Sequence, residues 1–256
     1  MLTNILAIAK NTFRETVRDR ILLSAFFVII AIIIFTLFIA SISLEQSTRM
    51  IIDFSVTAIY ALQIFVAIFI GSMLIYKEIE RKTFYLILPK PVTHIEIIIG
   101  KCLGLTLTTV VVTLLSTTVL FAILYVKGGQ LFFLPILVSV FMSTLEAILL
   151  ILVSILFSGL TSPVLASVST VAIFIIGHAE GVFRYMFMTT KIPAIEAVTK
   201  TVYYALPNLE KFNVRNDIIY GITPSFTIIL VAVLYAISYS LLLIVITQAT
   251  LSKKDY

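Results

Sequence analysis

Residues 21–43 read ILLSAFFVIIAIIIFTLFIASIS, a run without a single charge. A helix needs roughly 20 consecutive apolar residues to cross the hydrocarbon core of a bilayer, and lipid offers no partner to a backbone group left unpaired. The stretch therefore predicts a transmembrane α-helix. Runs of the same kind recur at about 54–76, 102–126, 132–157, 163–178 and 226–248. The fifth is short and opens on Pro163, a residue suited to the first turn of a helix. Composition agrees with this reading. Of the 256 residues 61% are hydrophobic and 12% charged, and the mean hydropathy is +1.16. A soluble domain carries about twice that charge fraction, so this chain cannot cover a globular surface with polar groups. The expected fold class is all-α: a polytopic membrane protein with six transmembrane helices in one domain spanning residues 1–256.

The segment before the first span has a different pattern. Leu2, Ile5, Leu6, Ala9, Phe13 and Val17 recur at helical spacing, while Lys10, Arg14 and Arg18 take another face at i, i+4, i+8. This predicts an amphipathic helix over 2–20 lying in the membrane interface. The apolar run after it is too long for a signal-peptide core, and no small-residue cleavage pattern follows, so no cleavable leader is expected. Orientation follows from the cations. With the N-terminus inside, eleven Lys and Arg fall on the cytoplasmic side and seven outside, five of those in one long loop. Six spans return the C-terminus to the cytoplasm. The inferred place is the inner (cytoplasmic) membrane. The net charge of +5 then points to anionic lipid headgroups and not to nucleic acid.

Motifs for chemistry are sparse. A phosphate loop would need a glycine at Ile95 to go with Gly100-Lys101, so the chain has no recognisable nucleotide site. His94 and His178 fall on opposite sides of the membrane, and Cys102 is the sole cysteine, so neither a standard zinc site nor an intrachain disulfide is expected. No serine–histidine–carboxylate set is expected at one depth, and the chain is not read as an enzyme. Glu146 is the one ionisable residue deep within a span, where a charge costs at least ~2.5–3.5 kcal/mol. Two readings stand side by side: a contact for substrate, cation or proton, and a neutral carboxyl hydrogen-bonded to a neighbouring helix. Gln63, at similar depth, is its candidate partner. Thr106, Thr109, Thr113 and Thr117 form a stripe after Gly100 and Gly104, which reads chiefly as helix packing.

Two connections are informative. Residues 77–101, KEIERKTFYLILPKPVTHIEIIIGK, start with dense mixed charge and are broken by Pro89 and Pro91. A solvated loop has no need of the apolar run Phe84 to Leu88, so a short docking helix is expected there, followed by an amphipathic stretch before the third span. Residues 179–225 are too long for a structureless loop. Ile195 to Leu206 has helical apolar spacing, and Asn208 to Tyr220 has room for a second short helix.

Four pieces then carry a resemblance: Lys10-Asn11-Thr12-Phe13-Arg14-Glu15 with Val17-Arg18-Asp19-Arg20; Tyr76 to Thr83; Leu88-Pro89-Lys90-Pro91-Val92 leading to Gly100-Lys101; and Leu206-Pro207-Asn208-Leu209-Glu210. With the span pattern, the chain resembles the permease subunits of type-2 ATP-binding-cassette transporters, and within that family the members serving nitrous oxide reductase copper-site maturation. The resemblance implies an interfacial connecting helix at the N-terminus, a coupling helix in 77–101, and short re-entrant helices in 179–225. It places Glu78, Glu80, Arg81, Lys82 and Thr83 at or beside an ATPase contact, with Phe84 and Tyr85 as its apolar anchors. It implies a separate ATPase subunit carrying ATP and Mg, with no cofactor in this chain. It also implies a second permease subunit, the same chain or a homologue, and a substrate path between the two lined by the first, second and fifth spans. The expected function is ATP-driven export, or transmission of ATPase motion to an external accessory protein. The alternative is a secondary transporter or channel without ATP. Against it stand the single intramembrane glutamate and the lack of a repeat.

Overall fold

The computed structural model describes residues 1–42, 47–74, 93–189 and 192–252. Among these every regular element is helical. The elements are α1 (Leu2–Val17), α2 (Arg20–Ile42), α3 (Ser47–Leu74, with a π-helical stretch at Val66–Ile70), α4 (His94–Val126), α5 (Phe133–Leu160), α6 (Pro163–His178), α7 (Glu180–Thr189), α8 (Pro193–Ala205), α9 (Arg215–Ile219) and α10 (Phe226–Leu251). Five helices are long and apolar enough to cross a membrane. A sixth span results if α6 and α7, which meet at a 62° bend, are counted together. The chain is therefore a multi-pass, all-helical protein. The expected coupling residues Glu78, Glu80, Arg81, Lys82, Thr83, Phe84 and Tyr85 lie outside the described residues.

The spans divide into a centre and a rim. The apolar stretches of α3 and α5 are 72% and 67% buried, those of α2 and α10 only 17%. α2 is apolar on all sides, so its sequence marks no inward face. Phe27, Phe35 and Phe38 on it are exposed, as expected of a helix that meets lipid or another protein.

The third span begins earlier than hydropathy indicated. Thr93 accepts a hydrogen bond from the Glu96 backbone N–H, and the Glu96 carboxylate accepts one from the Thr93 N–H at 2.9 Å. This capping box satisfies two donors and starts α4 at His94. Residues 94–101 are thus the first turns of a span and not part of a loop. Lys101, counted above among the solvated loop cations, is buried inside α4. Its Nζ donates to the Leu74 carbonyl, the last described turn of α3, at 3.2 Å.

α1 packs across the start of α4. A Cβ at Gly100 would lie 2.7 Å from the Ile8 side chain, and one at Gly104 2.6 Å from the Ala9 carbonyl oxygen. Two small residues four apart make the shallow groove that lets helix backbones approach this closely. Ile5, Ala9, Thr12 and Thr16 are the buried face of α1, while Leu2, Leu6 and Lys10 stay exposed. The apolar residues expected on one face thus split. Ile5 and Ala9 meet protein, and Leu2 and Leu6 are left outside.

The far end of the bundle, opposite α1, has a gap to fill. α6 has 16 residues, or about 24 Å, against a hydrocarbon core of about 30 Å. After the exposed pair α7 and α8, the chain returns inward. Leu209, Phe212, Val214 and Ile218 are all buried in the main core. The expected helices of 179–225 appear with shifted bounds: α8 for Ile195–Leu206, and the short 3-10 turn Glu210–Phe212 with α9 for Asn208–Tyr220. α7 was not expected.

A bulky residue in the Gly100/Gly104 groove must separate α1 from α4. Gly104→Leu is expected to destabilise the folded protein by about 1–3 kcal/mol, read as a lower Tm in detergent. Gly181→Ala, where an added Cβ meets nothing within 4 Å, should leave Tm unchanged or slightly raised.

Candidate functional site

Three polar side chains from three helices meet at the middle of the bundle. Tyr60 lies fourteen residues before Leu74, the last described residue of α3, Glu146 fourteen before the end of α5, and His178 fifteen after the start of α6. At 1.5 Å per residue all three rise about 21–23 Å from the α1 end. The Tyr60 hydroxyl donates to Glu146 Oε1 at 2.7 Å. His178 Nε2 stands 3.4 Å from the same oxygen and 3.3 Å from the Tyr60 hydroxyl. Glu146 is 1% exposed, so it is shielded from bulk solvent.

The histidine's other nitrogen fixes the proton count. His178 Nδ1 is 3.0 Å from the Phe174 carbonyl oxygen, one turn back on α6. A carbonyl only accepts, so Nδ1 carries a hydrogen. With Nδ1 committed, Nε2 faces Glu146 Oε1 at 3.4 Å with the Tyr60 hydroxyl 3.3 Å away, and these acceptors are compatible only if one proton is held by the Glu146–His178 pair. It resides on the carboxyl, which then donates to Nε2, or on the imidazole, which then donates to the carboxylate. In either form the pair holds one labile proton and is neutral overall.

A fourth group closes the site from the far end. Arg215, at the start of α9, has its guanidinium carbon 3.7 Å from the centre of the Tyr60 ring, in cation–π contact. Its Nε donates to Asn213 Oδ1 at 3.3 Å. The segment carrying it is anchored on both flanks. The Leu209 N–H donates to the Gly177 carbonyl at 3.0 Å, and the Asn208 N–H donates to the Tyr235 hydroxyl of α10 at 2.7 Å. A Cβ at Gly177 would come within 2.8 Å of the Pro207 carbonyl oxygen, so glycine is what lets the segment seat beside His178. Lys211 turns away and lies over the Tyr235 ring at 4.1 Å.

The sequence-predicted partner of Glu146 sits elsewhere. Gln63 is fully buried but donates to Thr144 Oγ1 at 3.0 Å, and its Oε1 has no partner. Tyr60, a turn earlier on α3, takes the place assigned to it. The histidine and the carboxylate, expected at different depths, meet because α6 ends level with Glu146 of α5. Of the threonine stripe, Thr109, Thr113 and Thr117 are buried and Thr106 is half-buried. Thr109 and Thr117 donate to carbonyls of their own helix, while the buried Thr113 hydroxyl has no partner. Among the described residues no group of three or more His, Cys, Asp and Glu could hold a metal ion. Neither a family model nor a curated protein matches the sequence.

Removing the phenolic hydroxyl leaves Glu146 one donor short. Tyr60→Phe is expected to cost about 1–3 kcal/mol, read as a lower Tm. Gln63→Leu, which deletes an unpaired buried oxygen, should cost less than Tyr60→Phe.

Proposed function

We propose that this chain is the membrane-embedded permease subunit of a transporter driven by ATP hydrolysis on a separate chain. It either exports a substrate or passes the ATPase's motion to an external partner protein. The observation that carries this reading is the pairing of two built ends. At the far end, residues 206–219 fold back into the bundle and cover a mid-membrane polar site. At the other, the Lys101 ammonium of α4 donates to the Leu74 carbonyl of α3, so the described residues that flank 75–92 in sequence are tied to each other. A force applied to that connection reaches α3 and α4 together, and α3 carries Tyr60. Of the motifs resembling type-2 ATP-binding-cassette permeases, Lys10 to Val17 falls on α1 and Leu206 to Glu210 in the inserted segment, while Tyr76 to Thr83 and Leu88 to Val92 lie outside the described residues.

Orientation follows the same reading. α1 lies along the cytoplasmic interface, with Lys10 and Arg14 toward lipid headgroups and Leu2 and Leu6 toward acyl chains. A second permease subunit packs on the rim. A cavity of about 390 Å³ between α2 and α3, lined by Val28, Ile29, Leu62, Phe65 and neighbours, opens on the outer face there. Glu78 to Tyr85 meet the ATPase.

One observation favours a second reading. Tyr60, Glu146 and His178 are an intramembrane titratable set, and such sets couple ion movement to transport in carriers that use no ATP. The two readings differ in what accompanies the chain. The tagged chain, extracted in mild detergent from its own membrane, is expected to bring an ATPase subunit with it, and Glu80→Ala with Arg81→Ala should lower that subunit's recovery or its ATPase turnover several-fold. A chain that purifies alone and transports unaided removes the ATP-driven reading and leaves the ion-coupled one.

A further inference from the structure

We propose that Tyr60, Glu146 and His178 form a proton-binding site whose occupancy holds or releases the inward segment 206–219. The inference stands whether or not ATP drives the chain.

The geometry selects the ligand. The polar atoms of the three side chains lie within 3.4 Å of one another. One imidazole and one carboxyl fall short of the three or more His, Cys, Asp and Glu side chains that would hold a metal ion, and no such group exists among the described residues. What the arrangement requires is the single proton between Glu146 Oε1 and His178 Nε2, because Nδ1 is already committed to Phe174. The ligand that adds to or leaves this site is therefore a proton.

The charges around the site decide what a change of occupancy does. From α3 comes Tyr60, from α6 His178, from the 3-10 turn Glu210, and from α9 Arg215, with Asp217 further along that helix. Lys211 is drawn off to Tyr235. With one shared proton the Glu146–His178 pair is neutral, and Arg215 rests on the ring of the tyrosine that Glu146 holds. A second proton makes the pair a neutral carboxyl and an imidazolium, a net charge of +1 next to the Arg215 guanidinium. In a site away from water, like charges this close repel far more strongly than in bulk solvent. The cost falls on the contact that can yield, the seat of Arg215, because Tyr60, Glu146 and His178 stand on packed spans. Acidification should therefore lift residues 206–219 from the bundle, and neutral pH should seat them.

Segment and site report separately. The chain contains no tryptophan, so Phe212→Trp, inside the buried segment, gives a single-tryptophan reporter. In lipid vesicles, lowering the pH from about 8 to about 5 is expected to red-shift its emission and raise acrylamide quenching several-fold. Glu146→Gln and His178→Gln in the reporter background should each make both signals independent of pH. Arg215→Ala should leave quenching high throughout. A reporter that stays blue and protected across the range overturns the proposal, as does a pH response that survives Glu146→Gln. A second measurement needs no tryptophan: infrared titration of the unsubstituted chain, taken as a difference against Glu146→Gln, should show a change in the carboxyl or imidazole bands of the site as pH falls. Absence of any such difference in that range overturns the proposal even if the reporter variant fails to fold.

Discussion

A carboxyl group halfway along an apolar span must find its hydrogen-bond donors inside the protein, because lipid supplies none and leaving it bare costs several kcal/mol. Glu146 meets that requirement with a hydroxyl from α3 and an imidazole from α6. The partners then constrain the rest of the fold. α3 must turn Tyr60 and not Gln63 toward α5. α6 must end at the depth of Glu146, so it stops short of the far surface. The space above its end must be filled, and residues 206–219 fill it with Leu209, Phe212, Val214 and Ile218. The short sixth helix, the 62° bend and the inward segment thus share one physical origin.

The near end is organised by different forces. There the contacts are close backbone approach of α1 to α4 at Gly100 and Gly104 and the Lys101 ammonium on the Leu74 carbonyl of α3. The molecule therefore carries a close-packed junction of α1, α3 and α4 at one end and a polar site under an inserted segment at the other. α3 is the element common to both. Its π-helical stretch, Val66–Ile70, lies between Tyr60 and Leu74. π stretches often mark functional positions in a helix, and this one separates the site from the junction.

Hydropathy made the long spans legible, since a charge-free run the length of the membrane core admits few other readings. It was weakest where polar groups are buried. Lys101 looked like a loop cation because charge at a span edge normally means solvent. Its acceptor, the Leu74 carbonyl, is a backbone atom that no side-chain pattern reveals. The capping box Thr93-His94-Ile95-Glu96 was present in the sequence, and reading it would have moved the start of α4 to its observed place. For the site, Glu146 stood out, and Gln63 was the nearest polar residue by depth. Tyr60 lies three residues away, about 60° around a helix turning about 100° per residue, and only packing decides between them. Counting residues from the α5–α6 turn would have brought His178 level with Glu146. That count was hidden by the expectation that the fifth span crosses the whole bilayer.

The central claim is that one proton is shared between Glu146 and His178 in the middle of the bundle. Solid-state NMR of the 15N-histidine-labelled, 13C-glutamate-labelled chain in lipid bilayers tests it most directly, since only His94 and His178 contribute. The account predicts a His178 with Nδ1 protonated, and a through-space contact between Nε2 and the Glu146 carboxyl carbon that disappears in Glu146→Gln. A His178 whose Nδ1 carries no hydrogen, with no contact to any glutamate carboxyl, would contradict it.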